Sequence, residues 1–222
     1  MNKYIAEMVG TFCLVFAGTG AIIVNDVAHG ITHVGIAITF GLVVMAMIFA
    51  IGHVSGAHIN PAVTLAFAAS KRLPMSMVPP YIGAQVIGAL LASLAMRFLF
   101  QEHPTLGATI PAGPAMQSFV LEGILTAMLM FVILSVSQGP KEVGVLAGIA
   151  VGGVVGFEAM FAGPICGASM NPARSQAPAN VSGKTVALWV YLIAPTLGAL
   201  IAVPLWQLTR AATKSPATAL ER

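Results

Sequence analysis

Two stretches constrain the architecture of this chain most strongly: Ser55-Gly56-Ala57-His58-Ile59-Asn60-Pro61-Ala62 and Cys166-Gly167-Ala168-Ser169-Met170-Asn171-Pro172-Ala173. They align at a constant offset of 111 residues, and each ends in Asn-Pro-Ala. Asn is among the best helix N-caps, and Pro is accommodated at the first helical position, where its missing N–H costs nothing. Each motif therefore predicts a helix start. The capping oxygen accepts from the first turn, which leaves the NH₂ donors of Asn60 and Asn171 fixed in direction and free to bind something else.

The composition is that of a membrane protein, with 58% hydrophobic residues, 8% charged residues and a mean hydropathy of +0.92. These values argue strongly against a water-soluble protein. A helix needs roughly 20 apolar residues to cross a bilayer core. Runs of that length lie at about 4–24, 34–52, 79–100, 118–137, 143–162 and 186–209. The first run contains Glu7 and has no basic leader or small-residue cleavage site, so we expect it to be a retained span.

The chain is built as a duplication. The segment Glu7-Met8-Val9-Gly10-Thr11 resembles Glu122-Gly123-Ile124-Leu125-Thr126, and each half contains two spans, a motif-bearing loop and a third span. Three spans per half reverse the orientation of the second copy, as in an inverted repeat. The predicted fold is an all-α membrane protein with six transmembrane helices and two re-entrant half-helices. We expect one domain over 1–222, comprising a first repeat at about 1–100, a loop at about 101–117, a second repeat at about 118–210 and a tail at 211–222.

The two motif helices are predicted to meet inside the membrane. From Pro61 to about Ser70 a helix rises roughly 15 Å, half of a hydrocarbon core of about 30 Å, and the helix from Pro172 can supply the other half. Non-helical backbone is tolerated at that depth only where it is buried or lines a wet cavity, which is the role we expect for the Gly-rich segments 52–59 and 163–170. The opposed helix starts and the Asn amides favour a neutral hydroxyl or water and repel cations.

These motifs carry a family resemblance. The segments Gly52–Thr64 and Gly167–Ser175 resemble the two signatures of the aquaporins, or major intrinsic proteins, and the resemblance covers nearly the whole chain. It implies a homotetrameric, passive channel for water and small uncharged solutes such as glycerol, which excludes protons and ions. Gly163-Pro164 ahead of Gly167-Ala168-Ser169-Met170 is similar to the nodulin-like intrinsic proteins and their bacterial relatives, which pass glycerol and neutral hydroxylated solutes including metalloid acids.

Arg174 is the most informative single residue for locating the pore, because a permanent cation in a membrane is costly unless it faces a cavity or a partner. By resemblance it would lie in the outer constriction of the family, whose other walls fall on Phe40, Ala159 and Ala168. Strict water channels have a His and a second narrowing residue where this chain has Ala159. Two alanines imply a wider opening with an apolar wall opposite the Arg donors, which suits a small polyol.

The solute class keeps an alternative at this stage. Ser175 and Ala179 resemble the strict water channels, whereas Leu192 favours the glycerol channels. The loop between the fifth span and the second motif also varies in length within the family. Met160 or Glu158 therefore stays open in place of Ala159 as a wall of the constriction.

Glu7 and Glu122 occupy equivalent places in the two halves, and intramembrane carboxylates are functional candidates by default. We favour a supporting role, in which each accepts hydrogen bonds from backbone groups of the re-entrant loop in its own half. A proton relay is the alternative, and it would make the protein an ion-coupled transporter. For Glu158 a subunit contact, a wet vestibule and the constriction all stay open.

Other function classes rank lower. An ion-coupled secondary transporter with inverted repeats comes second. An enzyme is not expected, because no Ser-His-Asp set, metal motif or nucleotide loop is present. No cofactor or metal is expected, since no Cys or carboxylate completes a ligand set with His53 and His58. Cys166, five residues before Asn171, is expected within reach of thiol reagents from the outer side.

The basic residues indicate topology. The net charge of +3 does not point to nucleic acid, because the basic residues are dispersed and mostly lie at the ends of apolar runs. The positive-inside rule predicts an integral protein of the plasma (inner) membrane with both termini cytoplasmic. It leaves only Arg97 and Lys184 outside and places on the cytoplasmic side Lys3, Lys71, Arg72, Lys141, Arg210, Lys214 and Arg222.

Overall fold

The computed structural model describes residues 1–137 and 141–211, and within these ranges the chain is helical without any strand. Its α-helices are α1 (Asn2–Ala28), α2 (Thr32–Ser55), α3 (Pro61–Ala69), α4 (Val78–Leu99), α5 (Ala115–Val136), α6 (Lys141–Cys166), α7 (Pro172–Ser182) and α8 (Leu188–Ala211). A single 3₁₀ turn, Met75–Met77, precedes α4. Residues 212–222 of the predicted tail, with Lys214 and Arg222, lie outside the described residues.

Six of these helices, α1, α2, α4, α5, α6 and α8, are long and apolar enough to cross a membrane. The other two, α3 and α7, have 9 and 11 residues and start at the Pro of each motif. A helix of that length rises only about 14–17 Å, which is half of a bilayer core. The predicted fold, six spans with two re-entrant half-helices, is confirmed.

The packing repeats between the halves. Helix α1 packs on α2 and α4, and α5 packs in the same way on α6 and α8. Helices α2 and α6 pack against each other, while α3 lies against α8 and α7 against α4, so each half-helix is held partly by the opposite half. The closest approaches are also paired, because a Cβ on Gly88 would meet the Met8 carbonyl oxygen and one on Gly198 would meet the Gly123 carbonyl oxygen. This is the arrangement of an inverted repeat.

The irregular backbone is shorter than the sequence predicts. We expected non-helical approaches over 52–59 and 163–170, but α2 continues to Ser55 and α6 to Cys166, so only 56–60 and 167–171 leave the helix. The prediction was wrong because a helix satisfies its own backbone groups in an apolar medium. Pro164 within α6 has no N–H to give to the Met160 carbonyl, and the imidazole Nε2 of His33 lies 2.8 Å from that oxygen. His33 thus supplies the missing hydrogen bond, and the helix passes the proline.

Candidate functional site

The two half-helix starts are capped as their sequences predict. Asn60 is extended at φ −158°, and its Oδ1 accepts from the backbone N–H of Ala62 at 2.9 Å. Asn171 is extended at φ −147°, and its Oδ1 accepts from Ala173 at 3.1 Å and Arg174 at 3.3 Å. Each cap satisfies first-turn N–H groups that have no partner within the helix. Both Asn side chains are therefore fixed in direction.

The same two side chains bind each other's loops. Asn60 Nδ2 donates to the Met170 carbonyl, and Asn171 Nδ2 donates to the Ile59 carbonyl, both at 2.8 Å. Each acceptor is the residue just before the other Asn, so the pair of bonds is reciprocal. Because each amide has two N–H groups, one is used in this clasp and one is left for another acceptor. The half-helices therefore meet head to head in the buried interior, with their positive ends facing each other.

The loops that lead to the two motifs adopt the same unusual backbone. Positive φ angles occur at Gly56 and Gly167, at Ala57 (47°) and Ala168 (41°), and at Ile59 (43°) and Met170 (52°). The left-handed region is unfavourable for a residue with a Cβ, and most of all for a β-branched one such as Ile59. Such a conformation costs about 1–3 kcal/mol per residue and persists only where its surroundings hold it.

In the first half that support comes from Glu7. Its Oε1 accepts from the His58 N–H at 2.9 Å and from Ser55 Oγ at 2.7 Å. Its Oε2 accepts from the Ile59 N–H at 2.7 Å and from Gln85 Nε2 at 2.8 Å. The carboxyl group is fully buried, and all four bonds run to its own half of the molecule. Glu7 thereby holds the backbone of the first loop at its strained positions.

In the second half the support comes from Glu122. Its Oε1 accepts from the Ser169 N–H at 2.7 Å, and its Oε2 accepts from the Met170 N–H at 2.8 Å. Glu122 is as fully buried as Glu7. What the two carboxylates share is the pair of loop amides that each of them binds at equivalent positions. That geometry fits a support better than a proton relay.

An elongated cavity of about 110 Å³ runs beside the two motifs. Its lining includes both Asn side chains and both strained loops, and it extends from Phe40 and Arg174 to Phe67 and Ser137, near the far ends of α3 and α5. Apolar side chains of α1, α2, α5 and α6 form much of the remaining wall: Leu14, Val44, Ile48, Leu129, Ile133, Val136, Ala147, Val151 and Val155. One wall of the cavity is therefore polar backbone and amide, and the opposite wall is apolar.

Arg174 lies at one end of this cavity and is only 2% exposed. Its Nη1 donates to Thr109 Oγ1 at 2.7 Å and to the Gly107 carbonyl at 3.3 Å. The guanidinium carbon lies 5.0 Å from the centre of the Phe40 ring, in cation–π range. The Nε atom has no hydrogen-bond partner among the described residues. Arg174 and Phe40 thus approach each other at this end of the cavity, and the Nε–H of Arg174 has no acceptor.

The remaining predicted site residues lie as follows. Ala168 lines the cavity beside Arg174. Ala159 is buried in the same apolar cluster as Phe40 and Ala168 but is not among the residues that line the cavity. The Pro and Ala residues of the two motifs are buried behind the Asn side chains and do not line the cavity: Pro61, Ala62, Pro172 and Ala173.

The structure narrows the alternatives left open for Glu158 and contradicts the expectation for Cys166. Glu158 is fully buried, so it faces no wet vestibule, and it is not among the cavity-lining residues. Both of its carboxyl oxygens lack a hydrogen-bond partner among the described residues, although it is near enough to interact electrostatically with Glu122. Cys166 is also fully buried, and its Sγ accepts from the Ala168 N–H at 3.4 Å. The expected access of thiol reagents to Cys166 is therefore wrong for this structure.

Sequence reasoning missed several polar residues around the site. Gln85 links Glu7 to Thr64, with its Nε2 donating to Thr64 Oγ1 at 2.9 Å. Tyr81 donates its hydroxyl to the Ser55 carbonyl at 2.9 Å. Thr109 accepts from Arg174 across 65 residues of chain. Gln85 could have been found from the sequence, because it is a polar side chain within an apolar run. Thr109 could not, because it lies in a loop where polar residues are common.

No group of three or more His, Cys, Asp or Glu side chains is placed to hold a metal within the residues that the structure describes. His58 lines the cavity, where its Nδ1 lies 3.1 Å from Thr64 Oγ1 and its ring stacks on Phe67 with 4.5 Å between centroids. His53 is exposed at the end of α2. The two histidines therefore belong to different environments.

Opposed half-helices that clasp each other beside a cavity, inside an inverted repeat of spanning helices, define a membrane channel fold. The chain belongs to the major intrinsic protein family, because the family model of that description matches residues 1–206. The resemblance found in the sequence is thereby confirmed.

The chain is similar to plant members of the family. It is 50% identical to aquaporin NIP1-1 of Oryza sativa subsp. japonica over 201 residues, which cover 90% of this chain and 71% of that protein. It is 44% identical to nodulin-26 of Glycine max over 212 residues, which cover 95% and 78%. The X-ray structure of the aquaglyceroporin from Plasmodium falciparum superimposes with a TM-score of 0.78 at 26% identity, covering 93% of this chain and 98% of that one. These relatives confirm the predicted nodulin-like grouping.

Proposed function

We propose that this protein is a passive channel for water and small uncharged solutes such as glycerol, and that it excludes protons and ions. The observation that carries the proposal is the reciprocal clasp of Asn60 and Asn171 at the cavity. It leaves one amide N–H on each side to bind an acceptor oxygen, such as that of water or a hydroxyl group. The aquaporins and the aquaglyceroporin to which the chain is similar support the same function.

Cation exclusion follows from the same geometry. Two helix N-termini face each other at the clasp, and each contributes about half a positive charge. No carboxylate lines the cavity among the described residues, since Glu7 and Glu122 bind the re-entrant loops from behind, so no anionic side chain faces a cation inside it. A central water that accepts from both amides points its own hydrogens away along the path, which interrupts a continuous proton relay.

We assign solute selection to the end of the cavity at Arg174. The guanidinium of Arg174 lines the cavity and offers N–H donors to a passing hydroxyl, while the Phe40 ring provides an apolar surface for CH groups. Ala168 is too small to narrow the opening, and we propose Ala159 as the fourth wall. This combination suits glycerol and hydroxylated solutes of similar size, including neutral metalloid acids.

The charged residues support the sidedness that the sequence predicts. Lys3 Nζ lies 3.6 Å from Met77 Sδ, beside the loop that carries Arg72. Arg72 and Arg210 both lie over the Trp206 ring, at 4.4 and 4.8 Å. These basic residues share one face of the molecule, which we place in the cytoplasm, with both termini on that side of the plasma (inner) membrane. We propose that 1–222 forms one channel domain of two repeats and that it assembles as a homotetramer in the bilayer.

The test is permeability of the purified protein in liposomes, measured side by side for water, glycerol, urea and boric acid by stopped-flow light scattering. A channel gives low activation energy, no saturation at modest concentrations and no response to an imposed proton gradient. Saturable uptake that follows the gradient would instead establish the ion-coupled transporter. Water flux without glycerol flux would establish the strict water channel.

The position of the fourth wall has its own test. Ala159→His should reduce glycerol permeability by at least about tenfold and largely spare water, because a ring replaces a methyl group at the constriction. Met160→His is the matched control, since Met160 is 40% exposed on the outer surface of the same helix. If Met160→His reduces glycerol flux and Ala159→His does not, the wall lies at Met160.

A further inference from the structure

Two arginines converge on one indole ring at the face of the molecule that we place in the cytoplasm. Arg72 lies in the turn after α3, and Arg210 lies one residue before the end of α8. Their guanidinium carbons are 4.4 and 4.8 Å from the centre of the Trp206 ring, in cation–π range. Trp206 is itself buried in the apolar cluster between α3 and α8. Two cations are therefore held close to each other by one ring.

The two positive charges are close enough to oppose each other. Partial burial and, after it, the charge of Arg210 lower the pKa of Arg72. Within the described ranges, Arg72 forms no ion pair with a carboxylate. Like charges that are held near each other repel, and an anion that contacts both of them turns this repulsion into attraction. The arrangement of the two guanidinium groups therefore favours an anion at this place.

Arg72 is fixed in direction by the end of α5. Its Nη1 donates to Ser137 Oγ at 2.7 Å, and its Nη2 donates to the Leu134 carbonyl at 3.2 Å. The last carbonyl groups of a helix have no partner within it, and a cation at that end is favourable. A guanidinium has five N–H donors, so these two bonds leave three for another acceptor. Arg72 is thus oriented by the protein and still able to bind a ligand.

The chemistry of the pair selects a phosphate group. Guanidinium groups are planar forks that bind phosphate oxygens through two parallel hydrogen bonds, and they are less strongly hydrated than ammonium groups. A phosphodiester has one negative charge shared by two oxygens that carry no substituent. One such group can accept from both arginines at once, which relieves the repulsion between them.

The position of the pair favours a phosphate that belongs to a lipid. Arg210 lies on a spanning helix whose side chains Leu205 and Leu208 are exposed, as expected for a surface that faces lipid chains. Trp side chains are typical of the membrane–water interface, where the lipid phosphates lie. Anionic lipids of the cytoplasmic leaflet attract basic residues next to a spanning helix. The two guanidinium groups thus lie where the apolar surface of α8 ends.

We propose that Arg72 and Arg210 bind the phosphate group of an anionic lipid in the cytoplasmic leaflet, with Trp206 as the platform that holds the two guanidinium groups. The lipid links the turn after α3 to the end of α8, and through Arg72 to the end of α5, and so stabilises the folded protein. The site adjoins the cavity, because Arg72 contacts Phe67 and Ser137, which line its inner end. It goes beyond the proposed function and does not depend on which solute passes.

The experiment measures how lipids stabilise the purified full chain in a neutral detergent. The thermal unfolding midpoint is compared after addition of phosphatidylglycerol, phosphatidylcholine or sodium phosphate. In the unmodified protein we expect phosphatidylglycerol to raise the midpoint by at least about 3 °C more than phosphatidylcholine does, because a ligand that binds only the folded state stabilises it.

The variants test whether the two arginines act together. Arg72→Gln and Arg210→Gln should each remove most of the difference between the two lipids. The double variant should lose no more than either single variant, because one phosphate that accepts from both arginines needs both of them. Lys71→Gln is the matched control, since it removes an exposed positive charge next to Arg72, and it should keep the difference.

Four results would overturn the inference. The unmodified protein could respond equally to the two lipids, or the arginine variants could keep the full difference. An equal loss in Lys71→Gln would mean that diffuse surface charge attracts the lipid. A shift with sodium phosphate as large as that with phosphatidylglycerol would mean that the ligand is free phosphate. If Arg72→Gln does not fold, the exposed Arg210 decides: native mass spectrometry should show fewer phosphatidylglycerol molecules retained by Arg210→Gln than by Lys71→Gln, and equal retention would reject the site.

Discussion

The two re-entrant loops have nearly the same backbone but are held in different ways. Glu7 receives four hydrogen bonds, two from loop amides and two from the side chains of Ser55 and Gln85. Glu122 receives the two loop amides, and its further hydrogen-bonding partner is the thiol of Cys166, a weak donor. The sequence explains the difference, because Cys166 stands at the place of Ser55 in the second half.

The loss of polar partners in the second half is offset from outside it. Pro195 lies three residues before Gly198, as Gln85 lies three before Gly88, so the second half has no amide at this place. The second loop is tied instead to the long connection between α4 and α5, through Thr109, whose hydroxyl accepts from Arg174 and pairs with Ser175 Oγ. The first loop is therefore anchored within its own repeat, whereas the second half relies on Glu122 and, next to Arg174, on a segment outside the repeat.

The largest expected effect comes from removing the two carboxylates. Glu7→Ala should lower the thermal unfolding midpoint in detergent more than Glu122→Ala, because it strands four N–H and O–H donors, whereas Glu122→Ala strands two amides and the weakly donating Cys166 thiol. Each buried donor left without a partner costs about 1–3 kcal/mol. The midpoint can be followed by size-exclusion chromatography after heating. Glu102→Ala, which removes an exposed carboxylate, is the control and should leave the midpoint unchanged. Equal losses for Glu7 and Glu122 would mean that the two loops are anchored alike.

The helix contacts should behave in the opposite way, with equal effects in both halves. Gly88→Ala and Gly198→Ala each place a methyl group against a backbone carbonyl of the paired helix, which cannot yield as a side chain does. We expect each to cost about 1–3 kcal/mol in the same unfolding assay. Gly83→Ala is the control, because Gly83 lies in α4 with Gly88 and a Cβ there meets nothing within 4 Å. A clear difference in the unfolding midpoint between Gly88→Ala and Gly198→Ala would mean that the helix contacts of the two halves are not equivalent.

Much of the fold could be predicted because it depends on local rules. An Asn-Pro pair predicts a capped helix start wherever it occurs, and an intramembrane Arg or Glu needs a partner or a cavity whatever the fold. These rules are enough to predict both half-helices and to single out Glu7, Glu122 and Arg174. The caps were predicted to leave both N–H groups of each Asn amide free, but one of them is used in the clasp.

What could not be predicted depends on partners far away in sequence. Thr109 stands in a loop without periodicity or motif, and its role follows only from the way that loop docks on α7. Where α6 passes Pro164, the free Met160 carbonyl is bound by His33, which lies 127 residues away and looks like a surface residue in the sequence. In both cases the local rule was overridden by a hydrogen bond that only the tertiary structure supplies.

The smallest expected effect concerns Glu158, which has no carboxylate counterpart in the first half, where the equivalent position is Met47. A buried carboxyl without hydrogen bonds is costly, and replacing such a group by an apolar side chain of similar volume is often neutral or stabilising. Glu158→Met should therefore raise the unfolding midpoint slightly and leave water permeability unchanged. Glu158→Gln, which keeps a buried polar group, should fall between Met and Glu. If Glu158→Met instead lowers the midpoint, the Glu158 carboxyl group has a stabilising partner in the folded protein.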